Sequence, residues 1–338
     1  MNLNDLWFVL LGVLLAGYAV LDGFDLGVGV LHLFSRGDRE RRVMLNAIGP
    51  LWDGNEVWLV TFGGALFAAF PRAYATLLSG LYLPFMLLLS CIIGRAISIE
   101  FRSKHPSPLW RGYWDASFAL SSTLALFVMG AAVGLAMRGL PIESDGEMRG
   151  GLHLLADPYA FSVGALAVAA GALHGANYLS LKVESELLAR VLRWRWPAFG
   201  VFLVLYLLVT IETLVWFPHA AGNFSRTPFT WVVPLALVIA VANLPRAFVK
   251  NLYGQALVSS AVAIASLVAL FGVALFPRLA RSSIDDAFSL TVVNAASSQG
   301  TLRIMRNIAF LGLPFVAAYS ALVYWVFRGR VKIDTTSY

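Results

Sequence analysis

Long apolar stretches are the feature that most constrains how this chain folds. A helix needs about 20 apolar residues to cross the hydrocarbon core of a membrane, and the sequence contains nine such stretches. Only 13% of the residues are charged, whereas ordinary soluble domains have about 25%. We therefore predict an all-α, polytopic protein of the cell inner membrane, with a single transmembrane domain over residues 1–338. The predicted spans are 6–34, 52–70, 74–99, 115–137, 158–179, 197–217, 230–248, 254–276 and 304–327.

The charges of the loops predict the orientation. Loops that stay in the cytoplasm are enriched in Lys and Arg. Alternate loops carry 16 basic residues on one side and 8 on the other. This puts the N-terminus outside and the C-terminus in the cytoplasm, as an odd number of spans requires. The net charge of +6 then reflects topology and gives no reason to expect nucleic acid. We expect two four-helix bundles plus one helix, although the sequence shows no internal repeat.

Two carboxylates lie inside the first predicted span. Asp22 and Asp25 are three residues apart, which places them near one face of a helix. An ionisable group at the centre of a membrane helix costs about 2.5–3.5 kcal/mol, so such groups usually have a function. Gly23 and Gly27 have the spacing that lets helices approach closely. We predict a proton relay or a polar ligand site, the alternative being a cap in a broken helix or a structural hydrogen bond.

A second polar group begins the second predicted span. Trp52, Asp53, Asn55 and Glu56 follow one another closely there. Asp53 and Glu56 are close to the spacing of a helix capping pattern, and acidic residues are favoured in a first helical turn. The tryptophan and asparagine beside them exceed what a cap needs. A cap and a function remain equally open for Asp53, and a cap is favoured for Glu56; both stay on the candidate proton path.

Arg95 lies inside the third predicted span, about seven residues before Arg102. A buried guanidinium must pair with a carboxylate or extend its side chain to the membrane surface. We predict a pairing with Asp25, Asp53 or Asp115, because these lie at similar depth on neighbouring helices.

Two further polar residues occur inside spans. His174 is expected to make a hydrogen bond between helices, with a haem or metal ligand as the less favoured alternative, and Glu212 lies in the outer half of the sixth span. Cys91 is the only cysteine, and no Cys–His spacing indicates a zinc, iron–sulfur or covalent haem site. We predict no metal site and no catalytic residue in this chain. The sequence also lacks a phosphate-binding glycine loop and a nucleophile elbow.

Distinctive motifs follow one another along nearly the whole chain, at 17–29, 49–59, 63–71, 100–104, 110–115, 174–179 and 295–325. Together they resemble subunit II of cytochrome bd-type quinol oxidases. The short length is similar to that of the cyanide-insensitive branch of this family. One segment departs from the pattern, since 131–139 lacks the polar Gly-Asn pair that many members have.

The resemblance implies a terminal oxidase that oxidises quinol and reduces oxygen to water. The b-type and d-type haems would lie in the partner, subunit I, which this chain would stabilise as a heterodimer in membrane lipid, with small accessory subunits as further partners. In the family, subunit II is thought to supply a cytoplasmic proton path and in some members to hold a structural quinone. Matching the motifs assigns the proton path to Asp25, Asp53, Glu56 and Asp115. It assigns a quinone site or a structural polar cluster to Asp22, Trp52 and Arg95.

Two other functions remain open at this point. Carboxylates inside a membrane also suit a proton-coupled secondary transporter, but no paired, interrupted spans occur in matching halves of the sequence. A purely structural subunit is the third alternative.

Overall fold

A computed structural model describes residues 2–332, and this part of the chain is almost entirely helical. The helices are α1 Leu3–Leu31, α2 Gly37–Ile48, α3 Trp52–Ala69, α4 Pro71–Gly80, α5 Tyr82–Phe101, α6 Pro108–Arg138, α7 Pro158–Lys182, α8 Ser185–Trp216, α9 Gly222–Arg226, α10 Val232–Val249, α11 Tyr253–Leu275 and α12 Gln299–Val326. Two short strands, β1 Arg278–Ala280 and β2 Leu290–Thr291, pair antiparallel between α11 and α12. The strand β1 contacts α4 and α11, so this loop packs against the bundle.

Eight helical stretches in the described residues are long and apolar enough to cross a membrane. They correspond to eight of the nine predicted spans, so the polytopic fold is confirmed while the count of nine is not. The exception is α3, which has 18 residues and is therefore about 27 Å long. Its first turn carries Asp53, Asn55 and Glu56, and these polar side chains reduce its mean hydropathy.

The third predicted span, 74–99, is wrong as one continuous helix. The structure ends α4 at Gly80 and begins α5 at Tyr82, with Leu81 outside helical geometry. Pro84 is the physical reason, because it has no N–H and its ring opposes the carbonyl of Gly80, four residues earlier. The glycine itself also favours a break.

Contacts between loops divide the molecule into two ends. At one end, which we call the α2 end, Arg102 pairs with Asp38 on α2, and the Val331 amide donates to the Lys182 carbonyl. At the opposite end, the Ser297 amide donates to the Ala69 carbonyl. The helix α3 therefore runs between the two ends, from just after α2 to the loop before α12.

The centre of the fold is the crossing of α1 and α7. A Cβ atom placed on Gly27 of α1 would lie 1.9 Å from the carbonyl oxygen of Gly171 on α7. Such a close approach is possible only between glycines. The prediction that Gly27 lets two helices approach closely is therefore confirmed. Gly23, in contrast, has no atom within 4 Å of its Cβ position and makes no such contact.

The remaining helices pack around this crossing. The helices α3 and α6 lie beside α1, and α5 packs against α6, while α8, α10 and α11 form an apolar core with α7. The last helix, α12, contacts α1 and α3 and exposes most of its side chains.

Candidate functional site

Three carboxyl groups surround one arginine inside the bundle, and we call Asp22, Asp25, Glu56 and Arg95 the buried carboxylate cluster. The Nη1 atom of Arg95 lies 2.6 Å from Oδ1 of Asp22, and Nη2 lies 3.2 Å from Oε2 of Glu56. Both aspartates are fully buried, and Arg95 is 1% exposed. The cluster thus joins α1, α3 and α5 through charged side chains in the membrane interior.

Asn55 links the cluster to one more helix, α12. Its amide nitrogen donates to Oδ2 of Asp25 at 2.7 Å and to the Leu21 carbonyl at 3.2 Å. Its amide oxygen accepts a hydrogen bond from the Tyr324 hydroxyl on α12 at 2.8 Å. The first turn of α3 is therefore held against the second half of α1.

Several polar atoms of this region are buried without a hydrogen-bond partner among the described residues. They are Oη of Tyr18, Oδ2 of Asp22, Oδ1 of Asp25, Oε1 of Glu56 and Nε of Arg95. An unsatisfied buried polar group costs about 1–3 kcal/mol, and sites of this kind are commonly filled by ordered water. The geometry therefore suits a short chain of water molecules between carboxyl groups.

The structure contradicts three expectations that came from the sequence. Arg95 pairs with Asp22 and Glu56, not with Asp25, Asp53 or Asp115. The capping role favoured for Glu56 is wrong, because Leu51 precedes α3 and no side chain caps that helix. A broken first helix is also wrong, since α1 continues from Leu3 to Leu31 without a break.

Trp52 and Asp53 lie at the edge of the cluster. The guanidinium carbon of Arg95 is 5.9 Å from the ring centre of Trp52, which is half-buried. Asp53 is exposed on the outer face of α3. The structure brings together Asp22, Asp25, Trp52, Glu56 and Arg95, while Asp53 faces away from them.

Asp115 belongs to a separate group at the α2 end, which we call the surface clamp. Its carboxylate accepts from Nε2 of His32 at 2.6 Å, from Nη1 of Arg41 at 2.8 Å and from Nε of Arg102 at 2.5 Å. The second nitrogen of Arg102 reaches Asp38 at 2.9 Å. Cations from α2 and α5 and the histidine at the end of α1 thus meet one carboxylate on α6.

Replacing Asp115 by Asn should weaken this clamp. The amide has one acceptor oxygen, and its NH₂ group would face a guanidinium, so we expect a loss of about 2 kcal/mol. The apparent melting temperature of the assembled complex measures the effect. Glu147→Gln is the matched control, because Glu147 is exposed and loses the same charge; equal melting temperatures for the two variants would contradict the clamp.

His174 and Glu212 lie outside both groups. In His174, Nδ1 is 2.7 Å from the Ser260 hydroxyl, and Nε2 is 3.0 Å from the Val20 carbonyl, which confirms the predicted hydrogen bonding between helices. Glu212 accepts from the Ser162 hydroxyl at 3.3 Å. Neither residue contacts the buried carboxylate cluster.

Sequence reasoning did not assign Tyr18, His32 or Tyr324 to these sites. Tyr18 lies one turn before Asp22, and that spacing could have been noticed. His32 and Tyr324 gave no such signal, because their partners are 83 and 269 residues away in the chain.

The apolar helices and the buried carboxylate cluster define a multi-pass membrane protein that keeps ionisable groups inside its helix bundle. The family model described as "Cytochrome bd terminal oxidase subunit II" matches residues 3–327. The chain therefore belongs to the cytochrome bd terminal oxidase subunit II family.

Relatives with known names agree with this assignment. Cytochrome bd-I ubiquinol oxidase subunit 2 of Escherichia coli (strain K12) is 34% identical, covering 97% of this chain and 95% of that protein. Cytochrome bd ubiquinol oxidase subunit 2 of Bacillus subtilis (strain 168) is 35% identical, covering 98% and 97%. A chain of the bd oxidase structure from Geobacillus thermodenitrificans has the same fold, with a TM-score of 0.76, 18% identity and coverage of 97% and 99%.

This membership fixes the general role of the chain. It is subunit II of a cytochrome bd terminal oxidase, a multi-pass inner-membrane protein that works in a complex with subunit I. The transporter alternative is not favoured. The family implies haem cofactors for the complex as a whole.

Each buried histidine in the part of the chain that the structure describes is already engaged through at least one ring nitrogen. Both ring nitrogens of His174 are engaged. His32 is fully buried, with Nε2 on Asp115 and its ring against Phe118 at 5.1 Å. His219 contacts Arg281, and His105 and His153 are exposed on the surface.

Proposed function

We propose that this subunit conducts protons from the cytoplasm towards the oxygen-reducing site of a quinol oxidase. The observation that carries the proposal is the charge balance of the buried carboxylate cluster. Three carboxyl groups share one guanidinium, so two negative charges would remain unpaired if all were ionised. Burying unpaired charge is costly, and close carboxyl groups share protons. Such a cluster binds and releases protons readily.

We place the route at Asp25 on α1 and at Glu56 and the exposed Asp53 on α3. Asp25 and Glu56 each keep a buried oxygen atom without a hydrogen-bond partner among the described residues, so water molecules would connect these carboxyl groups. In this proposal Asp115 stays at the entrance, where its contact with Arg41 holds α2 in place beside His32 and Arg102. It would keep the entrance in shape while the other carboxyl groups transfer protons.

The exposed face of α3 supports a position for subunit I. A carboxylate such as Asp53 is expensive against lipid, and the same face exposes Gly54 and Thr61. The neighbouring α12 also exposes large apolar side chains, among them Phe315 and Tyr319. We place the haem-bearing subunit I over α3 and α12, so that protons leave this chain from Asp53. The haems would all belong to that subunit.

The same reasoning supports nine crossings with the N-terminus outside. The helix α3 runs from the α2 end to the opposite end, and its polar first turn would be covered by the cluster and by subunit I. The α2 end collects the loops richer in Lys and Arg, which favours a cytoplasmic position. The packing of α1, α3, α5 and α6 beside α7, α8, α10 and α11 supports two four-helix bundles, with α12 as the additional helix.

A structural quinone is the second candidate at this site. Nε of Arg95 is a buried donor without a partner, and Trp52 offers a half-buried aromatic face beside it. Arg95 would donate to a quinone carbonyl while Trp52 packs against the ring. The bound quinone would supply structural stabilisation here, and proton transfer would remain with the carboxyl groups.

Substituting Asp25 tests the proton path. In an assembled complex, Asp25→Asn should lower quinol-dependent oxygen consumption and proton uptake by ~10-fold or more, because proton transfer by one positioned group contributes at least that much. The haem content should stay unchanged. Glu212→Gln is the matched control, since this carboxyl group lies in the bundle but outside the cluster.

Two results would count against the path. Turnover of Asp25→Asn equal to that of Glu212→Gln would remove Asp25 from proton delivery. A loss of haem and of subunit I in Asp25→Asn would instead indicate a structural role for the cluster.

A further inference from the structure

One buried arginine far from the buried carboxylate cluster has no acidic partner among the described residues. Arg195 on α8 is 2% exposed, and its Nε and Nη1 atoms lack hydrogen-bond partners. Its guanidinium carbon lies 4.6 Å from the ring centre of Phe248 and 5.4 Å from that of Tyr253. The aromatic faces offset part of the charge, but they leave N–H donors unsatisfied.

The other fully buried arginines, unlike Arg195, each pair with two carboxylates. Arg95 pairs with Asp22 and Glu56, and Arg102 pairs with Asp38 and Asp115. Among the described residues, none supplies such a group to Arg195. The sequence contains no Asp or Glu between 187 and 211 or between 232 and 275. The helices α10 and α11 therefore bring no carboxylate, and the acidic residues of α8, Glu186 and Glu212, lie more than two turns away from Arg195 along the helix.

Basic and interfacial residues surround the buried guanidinium instead. Lys250 lies in the turn between Phe248 and Tyr253, and Arg193 is two residues before Arg195 on α8; both are exposed. Trp196 is 47% exposed, and exposed tryptophan marks the interface of a membrane. Beyond it, α8 exposes an apolar stripe towards the membrane interior. The stripe consists of Val201, Val204, Leu208, Ile211 and Val215.

We propose that Arg195 and Lys250 bind the phosphate group of an anionic phospholipid at the α2 end of α8, α10 and α11. Phosphate supplies the acceptors that the guanidinium lacks, and arginine is suited to two hydrogen bonds with it. The acyl chains lie along the apolar stripe of α8. A carboxylate of another protein would not need that stripe, which favours a lipid.

The test uses the complete oxidase complex, purified in detergent and stripped of lipid. Phosphatidylglycerol is added in one arm, phosphatidylcholine in the second and inorganic phosphate in the third. Bound lipid is counted by native mass spectrometry, and thermal stability is followed in parallel. We expect phosphatidylglycerol to be retained and to raise the melting temperature, while the other two probes have little effect.

Variants locate the site. Arg195→Gln should weaken retention of phosphatidylglycerol by ~10-fold, which corresponds to about 1.4 kcal/mol, and Arg195→Lys should restore part of it. Lys104→Gln is the matched control, because this exposed lysine at the α2 end loses the same charge away from α8. The proposal is overturned if phosphatidylcholine or inorganic phosphate acts as well as phosphatidylglycerol. It is also overturned if Arg195→Gln binds phosphatidylglycerol as tightly as Lys104→Gln does. If Arg195→Gln fails to assemble, the comparison of the three probes on the unchanged complex decides the question.

Discussion

Replacing Arg95 by Met should prevent stable assembly of the oxidase. Met fills a similar volume, but Asp22 and Glu56 would then keep their charges inside the bundle without a cation. Removing one partner of a buried ion pair costs about 3–5 kcal/mol, which is a large part of the usual stability of a folded domain. The yield of complex and its apparent melting temperature measure the loss.

Three further variants separate charge from packing at this position. Arg303→Met is the control, because Arg303 is exposed on α12 and should tolerate the change. Arg95→Lys should retain part of the stability. Combining Arg95→Met with Asp22→Asn should recover part of the loss, since one unpaired charge is removed. A single Arg95→Met variant as stable as Arg303→Met would show that the ion pair is dispensable.

Gly27→Ala should disrupt the crossing of α1 and α7. The added methyl group would lie 1.9 Å from the Gly171 carbonyl oxygen, and a Cβ on Gly175 would lie 2.4 Å from the carbonyl carbon of Gly27. Both obstacles are backbone atoms, so the helices must separate. Overpacking usually costs about 1–3 kcal/mol, and separation here would also lengthen the 3.0 Å bond between His174 and Val20.

Gly23→Ala is a closely matched control for this prediction. Gly23 lies one turn earlier on α1, and nothing is within 4 Å of its Cβ position. Alanine in a helix interior is better than glycine by about 0.5–1 kcal/mol, so this variant should keep or raise the melting temperature. If both glycine variants lower it equally, the close helix crossing is not the cause.

Much of the fold was predictable because the membrane imposes a simple rule. Each apolar stretch of about 20 residues indicates a crossing, and eight of the predicted spans agree with helices of the structure. The rule failed where local chemistry interfered. Pro84 and Gly80 break the third predicted span, and the polar first turn of α3 leaves that helix below the hydropathy of the other spans.

The sequence predicted several residues of the candidate site but not the contacts between them. Ionisable residues inside apolar helices are costly, so Asp22, Asp25 and Arg95 were recognisable one by one. Their pairing was not, because the depth of a residue does not say which face of the helix it occupies or how the helix is rotated. Arg95 therefore meets Asp22 and Glu56, while Asp115 is held by the surface clamp.

The sequence by itself determined that this protein lies in a membrane and where its scarce charges fall along the chain. It could do so because the cost of placing charge in hydrocarbon depends on single residues and short segments. The tertiary structure decided which charges meet, since pairing depends on the rotation and crossing of helices that are distant in sequence. Contact between Gly27 and Gly171 brings α1 and α7 together, and Arg95 on α5 then closes the cluster between α1 and α3.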